Sequence, residues 1–133
     1  MEKRDADNSR CDIRNTTKGK LPSLPFVLIK NAILGKNYEL SVVFTGDTLS
    51  RNLNKTHRGI DKPTNVLSFP LSKTEGEIFL NTKRAKSEAR AFGDTYVPFV
   101  GFLFIHGLLH LKGMDHGTAM ERVEKKFRKQ FSL

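Results

Sequence analysis

Apolar residues recur along this chain at two spacings, every second residue in some stretches and every third or fourth in others, and the changes of spacing mark the elements. Cys11–Asn15 reads as a short strand. Ser23 is placed to cap a helix through Leu34, with Pro25 in its first turn and Gly35 as its stop. In Glu39–Thr45, Leu40, Val42 and Phe44 alternate with Ser41, Val43 and Thr45, which predicts a strand. Asp47 then caps a short helix whose Leu49 and Leu53 share a face. Asn54–Lys62 is polar and reads as a loop ending at Pro63. Asn65–Leu71 and Glu77–Asn81 read as two strands around a turn containing Gly76. Thr82 caps a helix toward Phe92, and Gly93 ends it.

A further helix starts near Pro98 and runs to about Lys112. Its residues Phe99, Val100, Phe102, Leu103, Phe104 and Ile105 are apolar nearly all round, which predicts the buried centre of the domain. Thr118 and Glu121 match a capping box, followed by a helical stripe of Met120, Val123, Phe127 and Phe131. The fold expected is α+β: a small mixed β-sheet of about four strands packed against a central buried helix carrying HxxxH, with flanking helices. Residues 1–10 are polar and expected to be a flexible N-terminus, and residues 11–133 a single domain.

Composition narrows the setting. Hydrophobic residues make up 38% of 133, enough for one core without disulfide support. The lone Cys11 cannot form an internal disulfide, so no oxidising compartment is indicated. The first ten residues lack the apolar stretch of a secretory signal. The longest nearly apolar run, Tyr96–Ile105, falls short of the roughly 20 residues of a membrane span. A cytoplasmic protein with no membrane partner is the expectation. The net charge of +9 suits a polyanion such as nucleic acid, and equally a basic surface with no partner.

The chemistry concentrates in HGLLHLKGMDH, which holds three of the four histidines. His106 and His110 lie four apart on a helix, so both imidazoles leave one face and can grip a single ion. Gly113 can end the helix with positive φ, which returns the chain and brings His116 in as a third nitrogen ligand. Asp115 could orient one of these imidazoles. Three neutral ligands leave a tetrahedral position open, as catalytic zinc sites do; the bland alternative is three capping or core histidines without metal. The spacing H-x-x-x-H-x-x-G-x-x-H is also that of metzincin proteases, which need a glutamate base directly after the first histidine. Gly107 stands there, so peptide hydrolysis lacks its base.

HGLLHLKGMDH resembles the signature H-G-x-L-H-L-x-G-Y-D-H of the YbeY family of bacterial metal-dependent endoribonucleases, departing from it only at Met114. Asn54 and Arg58, followed by Pro63, Thr64, Asn65, Val66, Leu67, Ser68 and Phe69, resemble a second family element. Gly76, Glu77 and Ile78 resemble a third, usually G-D-I. The resemblance runs from about Cys11 to the C-terminal helix. It implies one zinc-type ion on His106, His110 and His116, with another divalent metal such as Ni2+ also compatible with imidazole. It further implies cleavage of single-stranded RNA, ribosomal RNA precursors and the ribosome as partners, work in small-subunit 3′-end maturation and ribosome quality control, and a functional Arg58.

Physical reasoning gives Arg58 a matching part, since a bidentate guanidinium suits a phosphate better than an ammonium does. The candidate catalytic residues are Arg58 and His106, the latter through the ion it holds; taken alone, Arg58 would read as a solvent-facing loop arginine. His57 could donate a proton to a leaving oxygen, but reads better as an exposed loop histidine. Lys83, Arg84, Lys86 and Arg90, and again Lys125, Lys126, Arg128 and Lys129, could track an RNA backbone or simply solvate a helix face. Ser68 has no adjacent base and is no nucleophile. Two rival readings remain, a ribosome assembly factor with a mainly structural metal and a metallohydrolase on peptides or small molecules. Oligomeric state is not legible.

Overall fold

The computed structural model describes residues 10–133. In chain order they form β1 (Arg10–Asn15), α1 (Phe26–Leu34), β2 (Glu39–Thr45), α2 (Asp47–Arg58), β3 (Val66–Ser72), β4 (Glu75–Asn81), α3 (Thr82–Ala91), α4 (Tyr96–Leu111) and α5 (Thr118–Gln130). Four strands make one mixed sheet in the order β1-β2-β4-β3. β1, β2 and β4 run parallel and β3 antiparallel to β4, so the expected mixed four-stranded α+β architecture is present. The N-terminal residues expected to be flexible lie outside the described residues except for Arg10, which opens β1 opposite Glu39.

α4 is the hub. Phe99, Val100, Leu103, Phe104, Ile105, Leu108 and Leu109 are buried, and the helix touches α1, α3, α5, β3 and β4. Phe26 of α1 packs edge-on against Phe104 at 5.0 Å and Phe44 at 5.7 Å, tying helix to sheet through the quadrupole-favoured geometry of aromatic pairs. The α5 stripe closes on the same core, with Met120 fully buried and Val123, Phe127 and Phe131 packed around it. No single helix among the described residues is long and apolar enough to cross a membrane.

Several boundaries differ from expectation. α2 runs twelve residues, through Asn54 to Arg58, where a loop was expected, and stops at Gly59 in the left-handed region (φ 70°). Its buried face is polar, formed by Ser50 and Asn54, so periodicity of apolar residues could not reveal it. Asp47 is the first residue of α2 rather than its cap; its carboxylate accepts from Asn81 Nδ2 and Arg84 Nε. α1 starts at Phe26 behind Pro25, with no side-chain cap from Ser23. Asn81 caps α3 by accepting from Arg84 N, one residue before the expected Thr82. Gly117 precedes α5, and Thr118 makes no capping bond.

Gly76 lies inside β4 rather than in the turn, paired with Leu40 and Pro70. A Cβ there would overlap Tyr38 Oη and stand 3.0 Å from Leu111. Close packing, not turn geometry, therefore demands this glycine.

Candidate metal centre

α4 presents His106 and His110 one turn apart, both half-buried. Gly113 then takes φ 103°, which a side chain would resist, and turns the chain so that His116 returns to the pair. The three rings stand 4.6, 4.7 and 5.0 Å apart between centroids. One nitrogen from each lies within 4.8 Å of the others, and these three are the group of possible metal ligands among the described residues.

The orientation of the rings tests whether an ion fits. His110 Nδ1 donates to the Met114 carbonyl at 3.0 Å, and His106 Nδ1 pairs with the Glu124 carboxylate. With both Nδ1 atoms engaged, the two Nε2 atoms face each other at 3.1 Å. Two imidazole lone pairs repel at that distance unless a cation lies between them. Zn–N bonds of 2.0–2.1 Å in a tetrahedron set an N···N edge of about 3.3 Å, close to what is present. Burial, then the neighbouring His106 and His116, lower the pKa of His110, against the Met114 hydrogen bond and Asp115, so the neutral metal-binding form is favoured. The cluster is a metal site consistent with zinc.

These histidines line one wall of a cleft of about 410 Å³. Arg58 and the stretch Thr64, Asn65, Val66, Leu67 and Ser68 form the other. The loop joining these last two parts is pinned to α2. Ser50 Oγ donates to Thr64 O and accepts from Thr64 N, both at 2.9 Å. Asn54 Nδ2 donates to Lys62 O at 2.9 Å, and Arg51 pairs with Asp61 at 2.7 Å. Asn54 is thus a buried strut, and Arg58, one turn later, reaches the cleft. Arg58 is exposed and has no hydrogen-bond or ion-pair partner among the described residues.

Other candidates are placed elsewhere. His57, on the last turn of α2 rather than in a loop, is outside the cleft lining and packs on Phe69 at 4.7 Å. Ser68 Oγ donates to Gly107 O at 3.0 Å, a link between β3 and α4 and not a nucleophile. A Cβ on Gly107 would stand 2.9 Å from that Oγ, so the position of the protease base faces the sheet. Asp115 is exposed and bonds no histidine; that part falls to Glu124, which sequence reasoning missed. The available signal was one acid beside Val123 on the apolar stripe of α5. Met114 meets His110 through its backbone carbonyl, so this contact survives the loss of the family tyrosine. Glu77 lies in a separate depression with Arg10, Asp12, Glu39 and Glu75.

The basic helices are partly spent on internal contacts. Lys83 and Arg84 pair with Asp47, Lys86 lies over Tyr96, and Arg128 pairs with Asp94. Arg90, Lys125, Lys126 and Lys129 remain exposed.

Comparison with known proteins extends the picture to most of the chain. The family described as "Endoribonuclease YbeY" matches residues 7–132. A protein of that description from Acholeplasma laidlawii is 42% identical over 89 residues, covering 64% of this chain and 65% of its own. One from Aquifex aeolicus is 44% identical over 98 residues, with 69% and 65% covered. One from Aliarcobacter butzleri is 38% identical over 111 residues, with 79% and 78% covered. The match therefore spans slightly less than two thirds of the first two relatives' length. A Thermotoga maritima protein solved in solution superposes with a TM-score of 0.66 at 28% identity, over 88% of this chain and 85% of that one. A family match from residue 7 to residue 132 and a histidine cluster in ligating geometry agree, and the chain belongs to the YbeY family.

Proposed function

We propose that this protein is a zinc-dependent endoribonuclease that cuts single-stranded RNA, with ribosomal RNA precursors as substrates in small-subunit 3′-end maturation and ribosome quality control, in the cytoplasm. The observation that carries the reading is the meeting, in one cleft, of three histidine ligands with an exposed guanidinium that has no partner among the described residues. The relatives' description as endoribonucleases supports the reaction class. The +9 charge supports a polyanionic substrate.

His106, His110 and His116 would hold the ion without neutralising it. When bound, such an ion supplies Lewis acidity to a phosphoryl oxygen and to the attacking group. Arg58 would grip the scissile phosphate with two parallel N–H···O bonds and stabilise charge developing on it. Arg58 and His106 are the catalytic residues of this reading, His106 by contact with the ion. A purely structural ion would call for a fourth protein ligand, and none among the described residues completes the set.

The test is cleavage of a single-stranded ribosomal RNA 3′-end fragment, and of the same sequence in a duplex, by wild type and Arg58→Ala. Wild type cuts the single strand preferentially. Arg58→Ala keeps its metal and loses roughly 10²–10³-fold in rate, as removal of one charge-stabilising donor does. Full activity in a metal-loaded Arg58→Ala removes Arg58 from the mechanism. No cleavage by metal-loaded wild type above a mock preparation returns the protein to the assembly-factor reading.

A further inference from the structure

We propose that Glu124 is a positioning residue for the metal site, its buried carboxylate holding His106 in the tautomer whose Nε2 lone pair faces the ion. The inference builds on the histidine cluster as a metal site, but not on the choice of RNA as substrate.

Glu124 is an anomaly of α5. The helix keeps Glu121 exposed, yet buries Glu124 to 7% exposure beside Met120 and Val123, on the face that closes over α4. Burying an ionised carboxylate is costly unless a donor meets it. The donor it meets is His106 Nδ1, across the α4–α5 interface and eighteen residues earlier in the chain. In the proposed arrangement the carboxylate accepts, which puts the proton of this bond on Nδ1. In water the neutral imidazole prefers its proton on Nε2, the form that cannot ligate through that atom. Glu124 reverses this preference before any ion arrives.

The three ligands are held unequally. His106 has a carboxylate behind it, and His110 has the Met114 carbonyl. His116 is exposed and, among the described residues, has no hydrogen bond behind its ring. Among the described residues, Glu124 is the one anionic group hydrogen-bonded to a ligand histidine. Its charge strengthens the imidazole as a donor to a dication, beyond what a neutral carbonyl supplies. A pair fixed in advance on α4, closed by a looser third ligand from the following turn, is the assembly that results.

Two readouts test this without any RNA. The first is the tautomer of His106 in metal-free protein, read from 15N–1H long-range NMR spectra. The second is zinc affinity, read by competition with a chelator of known affinity. Wild type carries its proton on Nδ1. Glu124→Ala shifts the tautomer toward Nε2–H and binds zinc about 10–100-fold more weakly, the range for loss of such a partner. Glu124→Gln, with an acceptor oxygen and no charge, retains Nδ1–H and loses less affinity than Glu124→Ala. Should Glu124→Ala fail to fold, Glu124→Gln decides: weaker zinc binding at unchanged shape supports the proposal, and wild-type affinity overturns it. A folded Glu124→Ala with wild-type tautomer and affinity also overturns it, reducing Glu124 to a packing residue. A wild type that takes up no zinc removes the metal reading. The metal-free protein then still judges Glu124, because a His106 ring protonated on Nε2 and bare on Nδ1 overturns the proposal under any metal content.

Discussion

Gly107→Ala sets two well-known effects against each other on the helix that carries the metal ligands. Alanine in a helix interior is favoured over glycine by about 1 kcal/mol, so propensity alone predicts a more stable protein. The packing predicts the opposite. A Cβ at 107 would stand 2.9 Å from Ser68 Oγ, 3.1 Å from Ile78 Cδ1 and 3.3 Å from Val66 Cγ2. Ile78 is fully buried and β3 is hydrogen-bonded along β4, so these neighbours cannot simply rotate away. Overpacking of this kind costs about 1–3 kcal/mol, and displacing Ser68 also strains its bond to Gly107 O, worth about 0.5–1.5 kcal/mol. The expected net result is destabilisation by about 1–3 kcal/mol after the helix gain is allowed for. Urea unfolding of wild type, Gly107→Ala, Ser68→Ala and the double variant measures it. In the Ser68→Ala background the nearest obstacle is gone, and Gly107→Ala should cost at least about 1 kcal/mol less. A Gly107→Ala protein about 1 kcal/mol more stable than wild type would refute the close approach of α4 to β3, and with it the reason no base occupies this position.

Two further predictions concern groups away from the cleft. Burial pushes the Cys11 thiol up to about 11, against the opposing charge of Lys30. At pH 8 its thiolate fraction is then lower than that of an unfolded cysteine by about 100-fold, so alkylation by iodoacetamide should speed up by that order when urea unfolds the chain; equal rates would contradict its burial. The Asn81 amide, then Arg84 and Lys83, hold the Asp47 carboxyl below its ordinary 3.8, outweighing the effect of burial. Its folded value lies below the unfolded one, so its contribution is complete above about pH 5 and is lost as pH falls through the folded value. The stability difference between wild type and Asp47→Asn should therefore be largest near neutrality and shrink toward pH 3, and a pH-independent difference would count against the Asp47–Asn81–Arg84 contact.

Apolar residues announced themselves in the sequence, and polar residues with structural work did not. α4 was legible because seven buried apolar side chains crowd its first fourteen residues, and its histidines because i, i+4 spacing has one meaning on a helix. The second half of α2 was not, since Ser50 and Asn54 fill its buried face and bond a loop backbone instead of an apolar core. That error put Arg58 in a loop, although the family motif named it and the cleft holds it. Asp115 was favoured for adjacency in the chain, whereas the partner of His106 comes from a different helix. Helix starts slipped by one or two residues because Ser23, Thr82 and Thr118 have the right chemistry without being the residues that bond.

The central claim is that His106, His110 and His116 hold one catalytic ion. Elemental analysis of purified wild type and His110→Ala tests it most directly. The account predicts about one equivalent of zinc per chain in wild type, one ion for one cluster of three ligands, and loss of that metal in the variant. A folded wild type that binds no divalent metal, or a His110→Ala variant that retains it in full, would contradict the account.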